Sequence, residues 1–169
     1  MLVTLREITA QTVRQITSLA VAPEQECYVA SNAVSLAEAL FYPEAWYRAI
    51  YFDESPAGFV MLYDESLRST PPPKPEIAIW RFMIDSQFQR RSIGAEALAL
   101  VIDHVRSNPV FSDLIVSYVP GPGCAERLYL RAGFRHTDRI EHDEVVLTLP
   151  LTAPPQAAPP GDDSGDFQR

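Results

Sequence analysis

A turn crowded with serine, glycine and arginine joins an apolar strand to a long amphipathic helix, and nothing else narrows the fold so much. Glu76-Ile77-Ala78-Ile79-Trp80-Arg81-Phe82-Met83-Ile84 reads as the strand. From about Ile93 to Ser107, Ala95, Leu98, Ile102 and Val105 fall at helical spacing, with Glu96, Asp103 and Arg106 off that stripe. Asn108-Pro109 ends the helix, and Leu114 to Val119 supplies the next strand. The whole is a strand–helix–strand crossover, the signature of a mixed α/β or α+β domain.

The flanking sequence extends this unit. Val3 to Glu7 predicts a first strand, Thr12 to Leu19 a helix that Pro23 interrupts, and Ser35 to Leu40 a second helix ending before Pro43. Trp46–Phe52 and Gly58–Tyr63 are aromatic and β-branched, separated by the hairpin signal Asp53-Glu54-Ser55-Pro56-Ala57. Ser66 to Pro75 holds four prolines and predicts a mobile loop. Cys124 to Ala132 predicts a short helix closed by Gly133, with strands Phe134–Arg139 and Val145–Leu151 finishing the sheet. From Thr152 onward Pro, Ala, Gly and Asp dominate. The expected organisation is therefore one domain over 1–151 and a disordered Pro/Asp-rich tail over 152–169.

Composition removes other classes. At 169 residues and 47% hydrophobic, the chain can bury a core of its own. Fourteen Lys+Arg against 22 Asp+Glu leave a formal charge of -8, which argues against nucleic acid as a partner and suits a cationic one. No apolar run approaches the roughly 18–20 residues of a membrane span, and the N-terminus lacks the pattern of a signal peptide. Cys27 and Cys124 are too few for a disulfide scaffold, and with His104, His136 and His142 they make no metal-ligand spacing. No metal site, no membrane contact and a reducing cytoplasm are the corresponding expectations.

Chemistry concentrates between Asp85 and Gly94. Such a turn points several backbone N–H groups and the positive end of a helix at one place, an anion site fit for a pyrophosphate. Arg90 and Arg91 add positive charge to an otherwise acidic protein. On the residues alone, a capped helix with solvated arginines remains open. Met83-Ile84-Asp85 followed by Gln89-Arg90-Arg91-Ser92-Ile93-Gly94-Ala95 resembles the acyl-coenzyme A signature Q/R-x-x-G-x-G/A of the GNAT acetyltransferase superfamily. Ala125-Glu126-Arg127-Leu128-Tyr129-Leu130-Arg131-Ala132-Gly133-Phe134 resembles that family's A-x-x-L-Y-x-x-x-G-F segment. Val21-x-Pro23-Glu24-Gln25-x-x-Tyr28-Val29-Ala30-x-Asn32, with Ser35-x-Ala37-Glu38-Ala39, is similar to the bacterial spermine/spermidine acetyltransferase branch.

The resemblance implies a GNAT fold: a mixed central sheet of about six or seven strands, flanked by about four helices and splayed at its central strands. It implies direct acetyl transfer from acetyl-CoA to a primary amine such as spermidine or spermine. An amino acid, antibiotic or protein N-terminus is the alternative acceptor, and an acyl-CoA sensor without turnover is the rival outside catalysis. Met83 and Ile84 would face the pantetheine, and Gln89, Arg90, Arg91, Ser92, Ile93, Gly94 and Ala95 would line the phosphates. Ser92 stands where the first motif glycine belongs, and Pro122 where many relatives carry a cofactor-contacting asparagine. Tyr129 would protonate the departing thiolate, being neutral at pH 7 with an ordinary pKa near 10. Glu24 and Glu26, with Glu76, are the candidate bases, and together with Glu38 their carboxylates suit a polyamine. Trp46, Tyr47, Trp80 and Tyr118 are candidates for an acceptor channel, with plain core packing as the other reading. The family also allows a homodimer.

Overall fold

Apolar alternation along the strands builds two cores, one on each face of a single sheet. On β3 (Ser55–Asp64), Val60 and Leu62 face one core while Phe59 and Met61 face the other. The structure is a computed structural model that describes residues 2–151, so the expected tail over 152–169 lies outside the described residues. Its other strands are β1 (Val3–Arg6), β2 (Ala45–Phe52), β4 (Ile77–Ile84), β5 (Asp113–Tyr118), β6 (Arg135–Glu141) and β7 (Glu144–Pro150). They lie in the order β1-β2-β3-β4-β5-β7-β6, antiparallel except for β4 against β5. The mixed sheet expected from the sequence is present, with seven strands.

Helices cover both faces. On one, α3 (Ile93–Arg106) buries Ile93, Ala97, Leu98, Val101, Ile102 and Val105, joined by Tyr129 of α4 (Glu126–Arg131). Burying each such aliphatic side chain stabilises the fold by about 1.5–3 kcal/mol. Ala95, expected on the buried stripe, is exposed instead, because the true apolar face runs through Ala97 and Val101. On the opposite face Ile16 of α1 (Val13–Ser18) and Leu36 of α2 (Asn32–Ala39) pack on Phe59, Met61 and Met83.

Three local expectations are corrected. Helix α2 begins at Asn32 rather than Ser35, because the Ser31 side chain accepts from the Val34 N–H and caps it there. The β2–β3 connection is only Asp53-Glu54, since Ser55 already pairs with Phe52. The Pro-rich loop is anchored at its start: the Arg68 guanidinium meets Glu44 at 2.7 Å, Glu65 at 3.0 Å and the Tyr63 hydroxyl at 2.8 Å.

Two irregularities in β4 position the site. Trp80 is a bulge without a partner on β3, since Met61 pairs with Arg81 and Leu62 with Ile79. Trp80 and Arg81 therefore share the α1/α2 face, where Arg81 bonds Glu38 of α2 at 3.1 Å. Beside β5, only Ala78 and Ile79 are paired, with Ile115 and Val116. Beyond them the two strands part, leaving the edge of β4 from Trp80 to Ile84 without a strand partner.

Candidate active site

A cleft of about 1610 Å³ runs along this fork. Its walls include Trp80 to Ile84 from β4, Ile115, Ser117 and Tyr118 from β5, and Cys124, Ala125, Arg127, Leu128 and Tyr129 around the start of α4. The Met83 and Ile84 side chains are buried in the two cores, so their contribution to the cleft is the free backbone edge. Residues 23–30 close over one part of it. The Tyr28 hydroxyl donates to the Pro122 carbonyl at 3.0 Å, and the approach is possible because residue 121 is glycine. A Cβ there would lie 2.3 Å from the Tyr28 oxygen. Pro122, which lacks a side-chain donor, thus serves as an acceptor through its backbone.

At the cleft end of α3 the backbone is arranged for an anion. Among the described residues, none of the N–H groups of 89–95 finds an internal acceptor; the first ones satisfied on either side are those of Phe88 and Glu96. Arg90 and Ser92 both hold positive φ, 61° and 63°. Residues alternating into the left-handed region turn successive N–H groups inward, forming an anion-binding concavity. Ser92 is the N-cap of α3 yet makes no capping bond, leaving its hydroxyl free. Gly94 has room for a Cβ, whose nearest neighbour would be an Ile84 methylene carbon at an ordinary 3.5 Å. Nothing within the described residues requires glycine there.

The residues expected to line the phosphates do not all reach the cleft. Gln89, Arg90, Ser92, Gly94 and Ala95 line it. Ile93 is 1% exposed and belongs to the core, so only its N–H is available. Arg91 lies away from the cleft with its guanidinium 5.9 Å from the Phe88 ring. Gln89 spends its amide on the protein, donating to the Ile84 carbonyl at 3.0 Å and to Gln25 at 2.7 Å. Asp85 caps the turn by accepting from Gln87 N–H and reaches back to Ala20 N–H at 2.9 Å.

Two tyrosines meet the cleft from the α3/α4 side. Tyr129 is 4% exposed, and burial pushes its hydroxyl well above the ordinary value. It has no hydrogen-bond partner among the described residues. Tyr118 donates to Glu126 at 2.6 Å, and burial, then that bond, raise it to about 12. Glu126 also receives His136 at 3.2 Å.

A family model described as the acetyltransferase (GNAT) family matches residues 13–134. The chain belongs to this family. An aminoglycoside acetyltransferase in complex with coenzyme A is similar to this GNAT chain with a TM-score of 0.70 at 14% identity, over 88% of this chain and 94% of that one. An acetyltransferase from Thermus thermophilus gives 0.66 at 14% identity, over 89% and 97%. The ribosomal-protein-S18-alanine N-acetyltransferase from Escherichia coli gives 0.63 at 15%, over 92% and 97%. At such identities the likeness is one of fold. No curated protein matches the sequence.

Charges of both signs line this GNAT cleft. Its carboxylates are Glu24, Glu26, Glu76, Glu141 and Glu144, and its guanidinium groups are Arg81, Arg90, Arg127, Arg131 and Arg139. Glu24 and Glu26 are exposed on the rim with no ion-pair partner among the described residues. Glu38 does not join them, being neutralised by Arg81. Of the four aromatics expected in an acceptor channel, Trp80 and Tyr118 are in the cleft. Trp46 instead stacks on His104 of α3 at 4.2 Å, and Tyr47 packs against the α1/α2 core. Two aromatics that sequence reasoning missed, Tyr42 and Tyr63, wall the cleft by packing edge-on to Trp80 at 5.2 and 6.0 Å. Among the described residues no helix is long and apolar enough to cross a membrane. No group of three or more metal-ligating side chains occurs among them.

Proposed function

We propose that this chain transfers the acetyl group of acetyl-CoA to a cationic primary amine, with polyamines such as spermidine as the favoured class. The observation that carries the reading is the run of unpaired N–H groups over 89–95, set beside Arg90 at the mouth of the β4–β5 fork. These groups suit a pyrophosphate, and the free β4 edge suits the amide-bearing pantetheine arm, which would pair with it as a strand does. The thioester would then lie at the fork, where β4 amides polarise its carbonyl. Tyr129, sealed from water on most sides, stays protonated and donates to the sulfur as the thiolate leaves.

The carboxylates of Glu24, Glu26, Glu76, Glu141 and the half-buried Glu144 attract and orient a positively charged acceptor. Several carboxylates spread over one cleft favour an acceptor with more than one ammonium group. The relatives of similar fold include one that acts on aminoglycosides, which makes those polycations the second acceptor to assay.

The direct test measures CoA release from acetyl-CoA with spermidine, spermine, an aminoglycoside and an alanine-terminated peptide. Turnover with a polyamine is expected, with kcat/KM falling as ionic strength rises. Acetyl-CoA that raises Tm while no amine is acetylated would replace this reading with that of a sensor.

A further inference from the structure

We propose that Ser117 and Glu144 form the proton exit of the transfer, Ser117 as the group that touches the amine and Glu144 as the base behind it. The proposal rests on the amine-acetylation reading above and names a catalytic pair at that site. Ser117 is the first β5 residue past the last β4-paired one, Val116, so it stands where the fork opens. Leu114, Val116 and Tyr118 are buried against α3 and α4, and alternation puts Ile115 and Ser117 on the other face, lining the cleft. Ser117 lies opposite Val146 on β7, so Glu144, two residues along, is its same-face diagonal neighbour. The Ser117 hydroxyl donates to the Glu144 carboxylate. Both side chains are half-buried, so the carboxylate is held in place and still reaches water through the cleft.

The chemistry needs such a pair. An ammonium has three N–H bonds and the product amide has one, so two protons must leave nitrogen. One ends on sulfur, delivered by Tyr129, as the C–N bond forms and the C–S bond breaks. The other passes to Ser117 Oγ while the serine proton passes to Glu144, which then releases it to solvent. Charge and atoms balance: ammonium and thioester give amide, thiol and one free proton. The other carboxylates are less well placed. Glu76 lies before β4, on the closed side of the Ala78–Ile79 pairing, and Glu24 and Glu26 are exposed at the rim. The remaining charged or titratable groups of this part of the cleft are Arg139 and Glu141 of β6, bonded to each other, His142 of the β6–β7 turn, and Arg81, bonded to Glu38.

The test uses the full chain and the amine on which the wild type turns over fastest. Glu144→Gln keeps an oxygen to accept from Ser117 and so retains the local structure. It should lower kcat about 10²-fold near neutral pH with KM for acetyl-CoA unchanged. That deficit should shrink as pH rises, because the neutral amine then arrives without needing a base. Ser117→Ala should behave alike, and Ser117→Thr, which restores a hydroxyl, should recover most of the rate. Wild-type kcat in both Glu144→Gln and Ser117→Ala would overturn the pair, as would a deficit independent of pH or a Thr variant as slow as Ala. Absence of turnover by the wild type on every amine would overturn the acetylation reading and this pair with it; wild-type turnover with undiminished variants overturns the pair alone.

Discussion

Ser92 holds φ 63°, a conformation that costs a side-chain-bearing residue about 1–2 kcal/mol. Ser92→Gly should therefore stabilise the chain by about 0.5–1 kcal/mol once the greater freedom of an unfolded glycine is subtracted, raising Tm by about 1–4 °C. Thermal denaturation without ligand checks this. Tyr129 was legible in sequence because the residues around it match a segment, but its burial was not, and burial changes its chemistry. A phenol raised above 10 stays neutral in the fold when the unfolded chain would ionise. Stability is thus intact below about pH 10 and falls as pH climbs beyond it, and Tyr129→Phe should flatten that fall in a Tm series from pH 8 to 12. The same variant should lose about 10²–10⁴-fold in kcat with acetyl-CoA KM and neutral-pH Tm nearly unchanged. Wild-type kcat in the folded variant would leave Tyr129 a packing residue.

Helix α3 shows how far periodicity carries. Its existence and near-exact extent follow from apolar spacing and from Asn108-Pro109, yet the orientation of its first turn depends on the positive φ at Arg90 and Ser92, which no pattern signals. Arg90 and Arg91 are equivalent in sequence and opposite in the structure, one in the cleft and one beside Phe88. Arg90→Ala should weaken acetyl-CoA about tenfold, with acetyl-pantetheine, which has no pyrophosphate, unaffected. Arg91→Ala should change either affinity by much less; isothermal titration with the two ligands decides. The strands were legible to within about three residues, but the Trp80 bulge and the β5–β7 register arise from tertiary pairing. That register is why Ser117 and Glu144 meet across 27 positions of sequence while Glu38, in a familiar-looking segment, is taken up by Arg81.

For the molecule as a whole, we propose that residues 1–151 are the catalytic unit. Removing Thr152 to Arg169 should leave Tm and kcat/KM nearly unchanged, since that stretch offers few apolar anchors; a large loss of activity would make it part of the site. The fork has a mechanical corollary. Across it, β1 to β4 on one side and β5 to β7 on the other are joined through the sheet by two residue pairs alone. A pantetheine arm lying along the free β4 edge would supply main-chain bonds through its amides and couple the halves. Amide deuterium uptake in Trp80–Ile84 and in β5 should then slow together when acetyl-CoA binds, while β2 and β3, already bonded on both edges, exchange at an unaltered rate.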